Sequence, residues 1–333
     1  MPIITIADKI YLNDTALEML KGSGTIKYAK ASNEAEFADE VTDSDVIIVE
    51  IRPITEKVVN IAKHLRGIVV FGVGYDCVDV KAASEHGIFV ANCRGANAEA
   101  VAEMAFFKML DLARKGTRAH LMVREGKWDV TASGVNADWL MGTELLGKTI
   151  GVVGFGEIGK RVARIARGFR MKIMVSDPVV DARIIREAGA LPVSLNELLT
   201  ESDFVTLHVP LSSETNGLLG EREFKLMKKS AILINTSRGK VVNEVAMIGA
   251  LRAGAIGGLG LDVYADEPLP QGSELLTFDN VSLSPHIAGN TKEANDQCAE
   301  EVAVNVQMII SGKVPRNVVN LSDVMARQVS GKL

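Results

Sequence analysis

The chain has little cysteine, few aromatic residues and a small net charge. Its three cysteines, Cys77, Cys93 and Cys298, are odd in number and show no C-x-x-C spacing, which argues against a disulfide framework and favours a reducing compartment. A net charge of −5 provides no positive field that would attract nucleic acid or an anionic membrane. Neither a membrane-spanning apolar run nor a signal-peptide pattern is visible. We therefore expect a cytoplasmic protein whose function depends on a local site.

Length and composition favour two ordinary globular domains. The 333 residues suggest about two domains at ~150 residues each. Hydrophobic residues make up 47% and charged residues 24%, which argues against disorder and a fibrous fold. The 30 glycines, combined with 5% aromatic residues, suit an α/β chain with many tight strand-to-helix turns.

Short apolar runs alternate with helical patterns along the whole sequence. We predict strands at 3–7, 25–29, 45–49, 68–71, 88–91, 149–153, 172–176, 204–208, 231–235, 258–262 and 281–283. Strands that alternate with helices form parallel sheets covered on both faces. Two such sets predict an α/β fold of two doubly wound parallel-sheet domains.

Two long helical patterns, 97–115 and 293–310, lie where the two sets of strands meet. We therefore expect the first domain to be discontinuous. It would contain residues 1–98 and 290–333, and a second domain of residues 99–289 would interrupt it.

A glycine-rich sequence directly follows the predicted strand 149–153. Gly154, Gly156 and Gly159 form G-x-G-x-x-G at the start of a helical pattern, where such glycines permit a tight turn, close approach of a pyrophosphate and helix packing. Asp177 ends the next strand, 18 residues after Gly159, and an acidic residue there accepts hydrogen bonds from ribose hydroxyls. The pattern predicts a nicotinamide or flavin dinucleotide site, with NAD favoured over NADP because Asp177 would repel a 2′-phosphate.

Three polar residues follow strands of the second set. Arg238 follows strand 231–235, Glu267 follows strand 258–262, and His286 follows strand 281–283. Carboxyl ends of parallel strands meet at one crevice. There Arg would bind a substrate carboxylate, His would exchange the hydroxyl proton during hydride transfer, and Glu would fix the tautomer of the His ring. We therefore predict that these three residues are catalytic. No metal-ligand cluster is expected.

The sequence resembles the NAD-dependent D-isomer-specific 2-hydroxyacid dehydrogenases, in the branch of phosphoglycerate dehydrogenase and glyoxylate/hydroxypyruvate reductase. The motifs that carry the resemblance are 72–76, 101–103, 154–159, 208–211, 235–239, 260–263 and 284–286. The resemblance implies a flavodoxin-like substrate domain into which a Rossmann cofactor domain is inserted. It also implies catalytic roles for Arg238, Glu267 and His286, and a homodimer.

The same resemblance implies further contacts with the ligands. Val73 and Gly74 would offer backbone N–H groups to the substrate carboxylate, which Arg238 and His286 would also contact. The expected cofactor contacts, beyond the three glycines and Asp177, are Glu157, Ile158, Val209, Pro210, Thr215, Thr236, Ser237, Asp262 and Gly289. The segment 118–142, which is rich in turns and contains both tryptophans, is expected to be the dimer-forming arm.

Arg52 is the main sequence clue to the substrate. It follows strand 45–49, where phosphoglycerate dehydrogenases place an arginine that faces the distal phosphate, although Pro53 replaces the usual small hydroxyl residue. We therefore expect 3-phosphoglycerate and phosphohydroxypyruvate as the substrate pair. Glyoxylate or hydroxypyruvate reduction is the alternative, and a non-catalytic NAD-sensing protein that resembles transcriptional corepressors is a further one.

Overall fold

Two parallel β-sheets, each covered by helices, form two units in a computed structural model that describes residues 1–128 and 140–329. One unit contains Met1–Asn97 and Asn290–Leu333, and the other contains Ala98–Gly289. The second unit is therefore inserted into the sequence of the first. Part of the expected dimer-forming arm, residues 129–139, lies outside the described residues.

Among its described residues, the first unit contains five strands and six helices. Its strands are β1 (Ile3–Ile6), β2 (Thr25–Tyr28), β3 (Val46–Val49), β4 (Gly67–Val70) and β5 (Phe89–Ala91). Its helices, numbered in chain order, are α1 (Asp14–Ser23), α2 (Glu34–Glu40), α3 (Glu56–Ile61), α4 (Val80–Glu85), α12 (Lys292–Ile310) and α13 (Leu321–Val329). The strand order is β2-β1-β3-β4-β5, and all pairs are parallel.

Both faces of the first sheet are buried. In β3, Ile47 and Val49 pack in the cluster that includes residues of α2, α3 and α4, whereas Val46 and Ile48 pack with residues of α1 and α12. Successive side chains of a strand point to opposite faces. A strand that is buried on both faces therefore consists of a continuous apolar run, which is the pattern of Val46–Val49.

In the part that the structure describes, the second unit contains a seven-stranded parallel sheet. Its strands are β6 (Thr149–Val153), β7 (Lys172–Ser176), β8 (Leu191–Pro192), β9 (Phe204–Leu207), β10 (Ile232–Asn235), β11 (Gly258–Leu261) and β12 (Val281–Leu283). Its helices are α5 (Ala98–Arg114), α6 (Gly116–Arg124), α7 (Glu157–Gly168), α8 (Ala182–Glu187), α9 (Leu195–Glu201), α10 (Glu221–Leu226) and α11 (Glu244–Arg252). The strand order is β12-β11-β10-β9-β6-β7-β8.

The order of the strands places a crevice beside β6. The chain moves outward from β6 to β7 and β8, and then returns to β9 on the other side of β6. Ligands of open α/β sheets bind at such a reversal, outside the carboxyl ends of the strands. Apolar clusters cover both faces of this sheet, with Ile232 and Ile234 in one cluster and Leu233 in the other.

The predicted α/β fold with two parallel sheets is confirmed. Each predicted strand overlaps an observed strand, and the long helices α5 and α12 begin and end within one residue of the predicted bounds. The sequence analysis missed β8, a two-residue edge strand that contains Pro192. Proline weakens a strand pattern because it cannot donate to the ladder. Among residues 1–128 and 140–329, no helix has the length and apolar character that crossing a membrane requires.

Candidate active site

The glycine-rich turn connects β6 to α7. Gly154 has a φ of 91°, and a side chain there would meet the His208 carbonyl oxygen at 2.6 Å. A Cβ on Gly159 would overlap the Gly154 carbonyl oxygen, so the helix packs directly on the turn. A Cβ on Gly156, the N-cap residue, would meet no atom within 4 Å. These environments match the three roles of glycine in a dinucleotide-binding turn.

The first turn of α7 faces the space beside Gly156. Glu157 and Ile158 are its first two residues, so their backbone N–H groups have no partner within the helix. The Glu157 side chain turns back along the helix and accepts a hydrogen bond from Arg161 Nη1 at 2.9 Å. Backbone N–H groups and the helix dipole therefore provide the positive end that a pyrophosphate requires.

Asp177 follows β7 and closes the glycine turn. Its Oδ2 accepts a hydrogen bond from Phe155 N at 2.7 Å, and its Oδ1 accepts from Val179 N and Val180 N at 2.8 and 3.0 Å. A carboxylate has about four acceptor positions, so these bonds leave about one for a ribose hydroxyl. The residue that the sequence assigns to ribose binding is therefore also part of the structure of the turn.

The loop after β9 lies against the same turn. A Cβ on Gly154 would lie 2.9 Å from Val209 Cγ1. Thr215 Oγ1 donates to the Pro210 carbonyl oxygen and accepts from Ser212 N at 2.8 Å, which closes the loop on itself. The structure thus places Val209 beside the glycine turn and joins Thr215 to Pro210.

Asn235, at the end of β10, builds the turn that carries Arg238. Its Nδ2 donates to the Arg238 carbonyl oxygen at 2.9 Å, and its Oδ1 accepts from Ser237 N and Ser237 Oγ at 3.0 and 2.8 Å. Arg238 Nη1 donates to the Ser237 carbonyl oxygen at 2.8 Å. Thr236 is 7% exposed, and its Oγ1 has no hydrogen-bond partner among the described residues. Asn235, which we did not predict as a site residue, therefore sets the shape of this turn.

Glu267 and His286 form a hydrogen-bonded pair. His286 Nδ1 lies 2.7 Å from Glu267 Oε2, and the side chains are 48% and 37% exposed within the structure. Because a carboxylate oxygen only accepts, Nδ1 carries the proton of this bond and Nε2 remains available to a ligand. Glu267 Oε1 accepts from Tyr264 N at 3.0 Å, so both carboxylate oxygens are held.

Asp262 anchors the loop that carries His286. Its buried carboxylate accepts hydrogen bonds from Ser284 Oγ, from Ile287 N at 3.0 Å and from Ala288 N at 2.7 Å. His286 N donates to the Asp262 carbonyl oxygen at 2.8 Å. His286 itself has a φ of 54°, a left-handed conformation that costs a non-glycine residue about 1 kcal/mol. The Asp262 contacts hold the backbone in this conformation.

Tyr264 connects the three loops after β10, β11 and β12. Its backbone lies against Gly239, where any Cβ would overlap the Tyr264 carbonyl group. Its N–H bonds Glu267, and its hydroxyl donates to the Ser284 carbonyl oxygen at 2.9 Å. Burial raises the pKa of Tyr264 to about 12, so the hydroxyl remains a donor. We missed this residue because its partners are distant in sequence and no spacing pattern reveals them.

Three of the residues that we predicted to bind the substrate, Arg52, Val73 and Gly74, belong to the first unit and follow adjacent strands. Arg52 follows β3, whereas Val73 and Gly74 follow β4. Arg52 Nε donates to the Ala7 carbonyl oxygen at 2.9 Å, and its guanidinium carbon lies 4.8 Å from the centre of the Phe37 ring. The Val73 carbonyl oxygen accepts from Asn92 Nδ2 at 2.6 Å.

The residues at the crevice of the second unit fit a dinucleotide. A ligand at these loops would fill the open space beside Gly156. It could also supply a hydrogen-bond partner to the buried Thr236 Oγ1, which has none among the described residues. Gly289 ends this unit directly after the loop that Asp262 anchors. The described residues contain no group of three or more His, Cys, Asp or Glu side chains arranged to hold a metal ion.

Comparison with known proteins agrees with this geometry. Residues 106–288 match the model of the D-isomer specific 2-hydroxyacid dehydrogenase, NAD binding domain. The glyoxylate reductase of Korarchaeum cryptofilum is 42% identical over 290 residues, which cover 87% of this chain and 86% of that protein. The chain belongs to the D-isomer specific 2-hydroxyacid dehydrogenases. It is therefore an NAD-dependent oxidoreductase, and the match to the NAD binding domain lies within the inserted unit.

Other members of the family are similar over nearly the whole chain. The D-3-phosphoglycerate dehydrogenase of Methanocaldococcus jannaschii is 36% identical over 97% of this chain, but the match covers only 60% of that longer protein. The crystal structure of a glyoxylate reductase from Paecilomyes thermophila superposes with a TM-score of 0.87 at 28% identity, covering 96% of this chain and 99% of that one. Both substrate classes that the sequence suggested thus occur among the relatives.

Proposed function

We propose that the protein reduces glyoxylate and that His286, Glu267 and Arg238 act on the substrate. The observation that carries this proposal is the 2.7 Å contact between His286 Nδ1 and Glu267 Oε2, in loops that follow strands of the NAD-binding domain. NAD(H), when bound, supplies or accepts the hydride at carbon 2 of the substrate.

His286 moves the proton of the reaction. As carbon 2 gains a hydride, the carbon–oxygen double bond of the substrate becomes single, and the oxygen takes a proton from His286 Nε2. In the reverse direction Nε2 accepts the hydroxyl proton. Glu267 fixes the ring orientation through Nδ1, and Tyr264 N holds the other oxygen of Glu267 at 3.0 Å. The His286 ring is therefore already oriented, with Nε2 available, before the substrate binds.

Arg238 binds the carboxylate of the substrate. Its planar guanidinium can donate two parallel hydrogen bonds to a carboxylate, and Asn235 fixes the turn on which it stands. We also propose that Val73 and Gly74 bind the substrate through their backbone N–H groups. The cofactor is held by the glycine turn, Asp177, Val209, Pro210, Thr215 and the residues that follow β10 to β12.

The contacts of Arg52 support a small substrate. Its Nε donates to the Ala7 carbonyl oxygen, and its guanidinium lies over the Phe37 ring. These contacts give the side chain a packing role that does not need a ligand phosphate. Glyoxylate has no distal group for an arginine to bind. The 42% identity to a glyoxylate reductase, compared with 36% to a phosphoglycerate dehydrogenase, points the same way. This proposal replaces our expectation of a phosphorylated substrate.

Phosphohydroxypyruvate remains the second candidate, because Arg52 follows β3 at the position where a distal phosphate would be bound. A panel of glyoxylate, hydroxypyruvate, pyruvate and phosphohydroxypyruvate, assayed by loss of NADH absorbance, distinguishes the two. We expect kcat/KM for glyoxylate to exceed that for phosphohydroxypyruvate by about 10-fold or more. The reverse order would favour the second candidate, and no turnover of any 2-oxo acid would refute both.

We also propose that the protein is a cytoplasmic homodimer. Phe107, Leu121 and Val123, on the consecutive helices α5 and α6, are 54%, 49% and 53% exposed, and exposed large apolar side chains favour a protein interface. Cys93 and Cys298 are free thiols, as in a reducing compartment. Light scattering coupled to size exclusion would show twice the monomer mass for a dimer and the monomer mass otherwise.

A further inference from the structure

A buried lysine lies behind the strands that lead to His286. Lys108 is on α5, which packs against β10, β11 and β12, and its side chain has no solvent exposure. Its Nζ donates to the Ser282 carbonyl oxygen at 3.3 Å. Gly260 of β11 makes room for this side chain, because a Cβ there would lie 2.9 Å from Lys108 Cβ. A fully buried ammonium group is costly unless it is paired.

Asp111 holds the other polar group of the same serine. Ser282 Oγ donates to Asp111 Oδ2 at 2.7 Å. Lys108 and Asp111 are three residues apart on α5, and residues at this spacing lie on the same face of a helix. Ser282 is the middle residue of β12, an edge strand of three residues that pairs with β11. The helix therefore holds both the backbone and the side chain of a very short edge strand.

The strand that α5 holds leads directly into the loop of His286. Ser284, two residues after Ser282, donates through Oγ to the Asp262 carboxylate. Asp262 in turn accepts from Ile287 and Ala288, and its carbonyl oxygen accepts from His286 N. Lys108 and Asp111 therefore hold Ser282 by hydrogen bonds, and the backbone from Ser282 to Ser284 joins it to the Asp262 contacts on both sides of His286.

The charge of Lys108 also fits this position. Asp262 is fully buried, and its carboxylate accepts three hydrogen bonds that it could not accept equally well without its negative charge. The Asp262 and Asp111 carboxylates both favour the ionised form of Lys108. A buried carboxylate needs a nearby positive charge, and Lys108 on α5 supplies one.

We propose that Lys108 is a positioning residue for His286, because its ammonium group, together with Asp111, fixes the edge strand β12 and the loop from Ser284 to Ala288. This inference rests on the proposed role of His286. A role in stability alone does not explain the lysine, since an apolar residue of similar volume commonly stabilises a buried site as well as an ion pair does or better. The lysine therefore serves the position of the loop.

Lys108→Met tests this inference, because methionine keeps the volume and loses the charge. We expect kcat for glyoxylate to fall by about 10-fold or more, since small displacements of a proton-transfer group are costly, while the Kd of NADH stays unchanged. The melting temperature is expected to be no lower than that of the wild type. Lys172→Met, which removes an exposed lysine from β7, is the matched control and should leave kcat, Kd and melting temperature unchanged.

Hydrogen exchange of residues 281–289 provides a measurement that does not need turnover. Faster exchange of these amides in the Lys108→Met variant, but not in the Lys172→Met variant, is the expected result. An unchanged kcat in Lys108→Met, or a lower melting temperature with normal exchange in 281–289, would overturn the positioning role. If the wild-type protein reduces no 2-oxo acid, the proposed function fails, whereas the exchange result still decides whether Lys108 orders the loop.

Discussion

Replacing Lys108 with methionine is also expected to change how stability depends on pH. Burial lowers the pKa of the Lys108 ammonium group from 10.5 to about 8, although the Asp262 and Asp111 carboxylates act in the opposite direction. In the unfolded chain the group has the ordinary pKa of lysine. Between these two pKa values the unfolded chain holds a proton that the folded chain has lost.

The sign of the effect follows from proton linkage. Because the unfolded state binds more protons in this window, the free energy of unfolding rises with pH from about 8 to 10.5. The penalty for burying the ammonium group is fully present below the lower value and is lost as pH rises towards the upper one. The whole shift corresponds to about 3 kcal/mol, of which about 1.4 kcal/mol falls between pH ~7 and pH ~9. Methionine does not titrate, so the variant lacks this contribution.

Urea unfolding followed by far-ultraviolet circular dichroism measures the effect. The free energies of unfolding of the wild type and of Lys108→Met are compared at several pH values from neutral to about 9. Other titrating groups cancel in the difference, which should shift by about 1.4 kcal/mol in favour of the wild type over this range. If the two units unfold in separate transitions, the transition of Ala98–Gly289 should respond.

The Lys172→Met variant controls for the loss of a surface charge. Its free energy of unfolding should follow that of the wild type at every pH in this range, since exposed charges contribute little. A constant difference between the wild type and Lys108→Met would show that Lys108 does not change its protonation state in this window. That result would refute the lowered pKa of Lys108 and the pH dependence that follows from it.

Three further outcomes are expected. His286→Ala should lower kcat by about 100-fold or more with nearly unchanged NADH affinity, as measured by steady-state kinetics and fluorescence titration; parallel loss of both would contradict its role. Asp177→Ala should narrow the preference for NADH over NADPH, which an unchanged ratio of kcat/KM would refute. Burial lowers the pKa of His208 to about 3, so the free energy of unfolding should fall as pH drops below about 6.5. Relative to His208→Gln, the wild type should lose about 2 kcal/mol by pH ~5, and unfolding free energies of the two proteins that fall in parallel with pH would refute this.

Much of the fold could be predicted because its signals are local. The continuous apolar run of β3 and the glycine turn after β6 each lie within a few consecutive residues. The strand order explains why three side chains that follow three different strands belong to one edge of a sheet. The contact between Glu267 and His286, 19 residues apart, was therefore predictable from topology and residue type.

The supporting contacts could not be predicted, because each one joins distant residues through backbone atoms. Asp262 binds amides 25 and 26 residues away, and a backbone N–H is present at every position except proline. Tyr264 donates to a carbonyl oxygen 20 residues away, and its sequence neighbours give no indication of that partner. The sequence thus identifies the groups with special chemistry, whereas their supports require coordinates.

Lys108 differs from these supporting residues, because its position in the sequence already marks it as unusual. It lies three residues after Ala105 and four before Leu112, on the face of α5 that the apolar pattern assigns to the core. A lysine on that face breaks the pattern, and local rules are broken most often where function requires it. The partner, the Ser282 carbonyl oxygen, is 174 residues away. The sequence therefore identifies Lys108 as an exception to the apolar pattern of α5, whereas only the tertiary fold shows its contact with the strand that leads to His286.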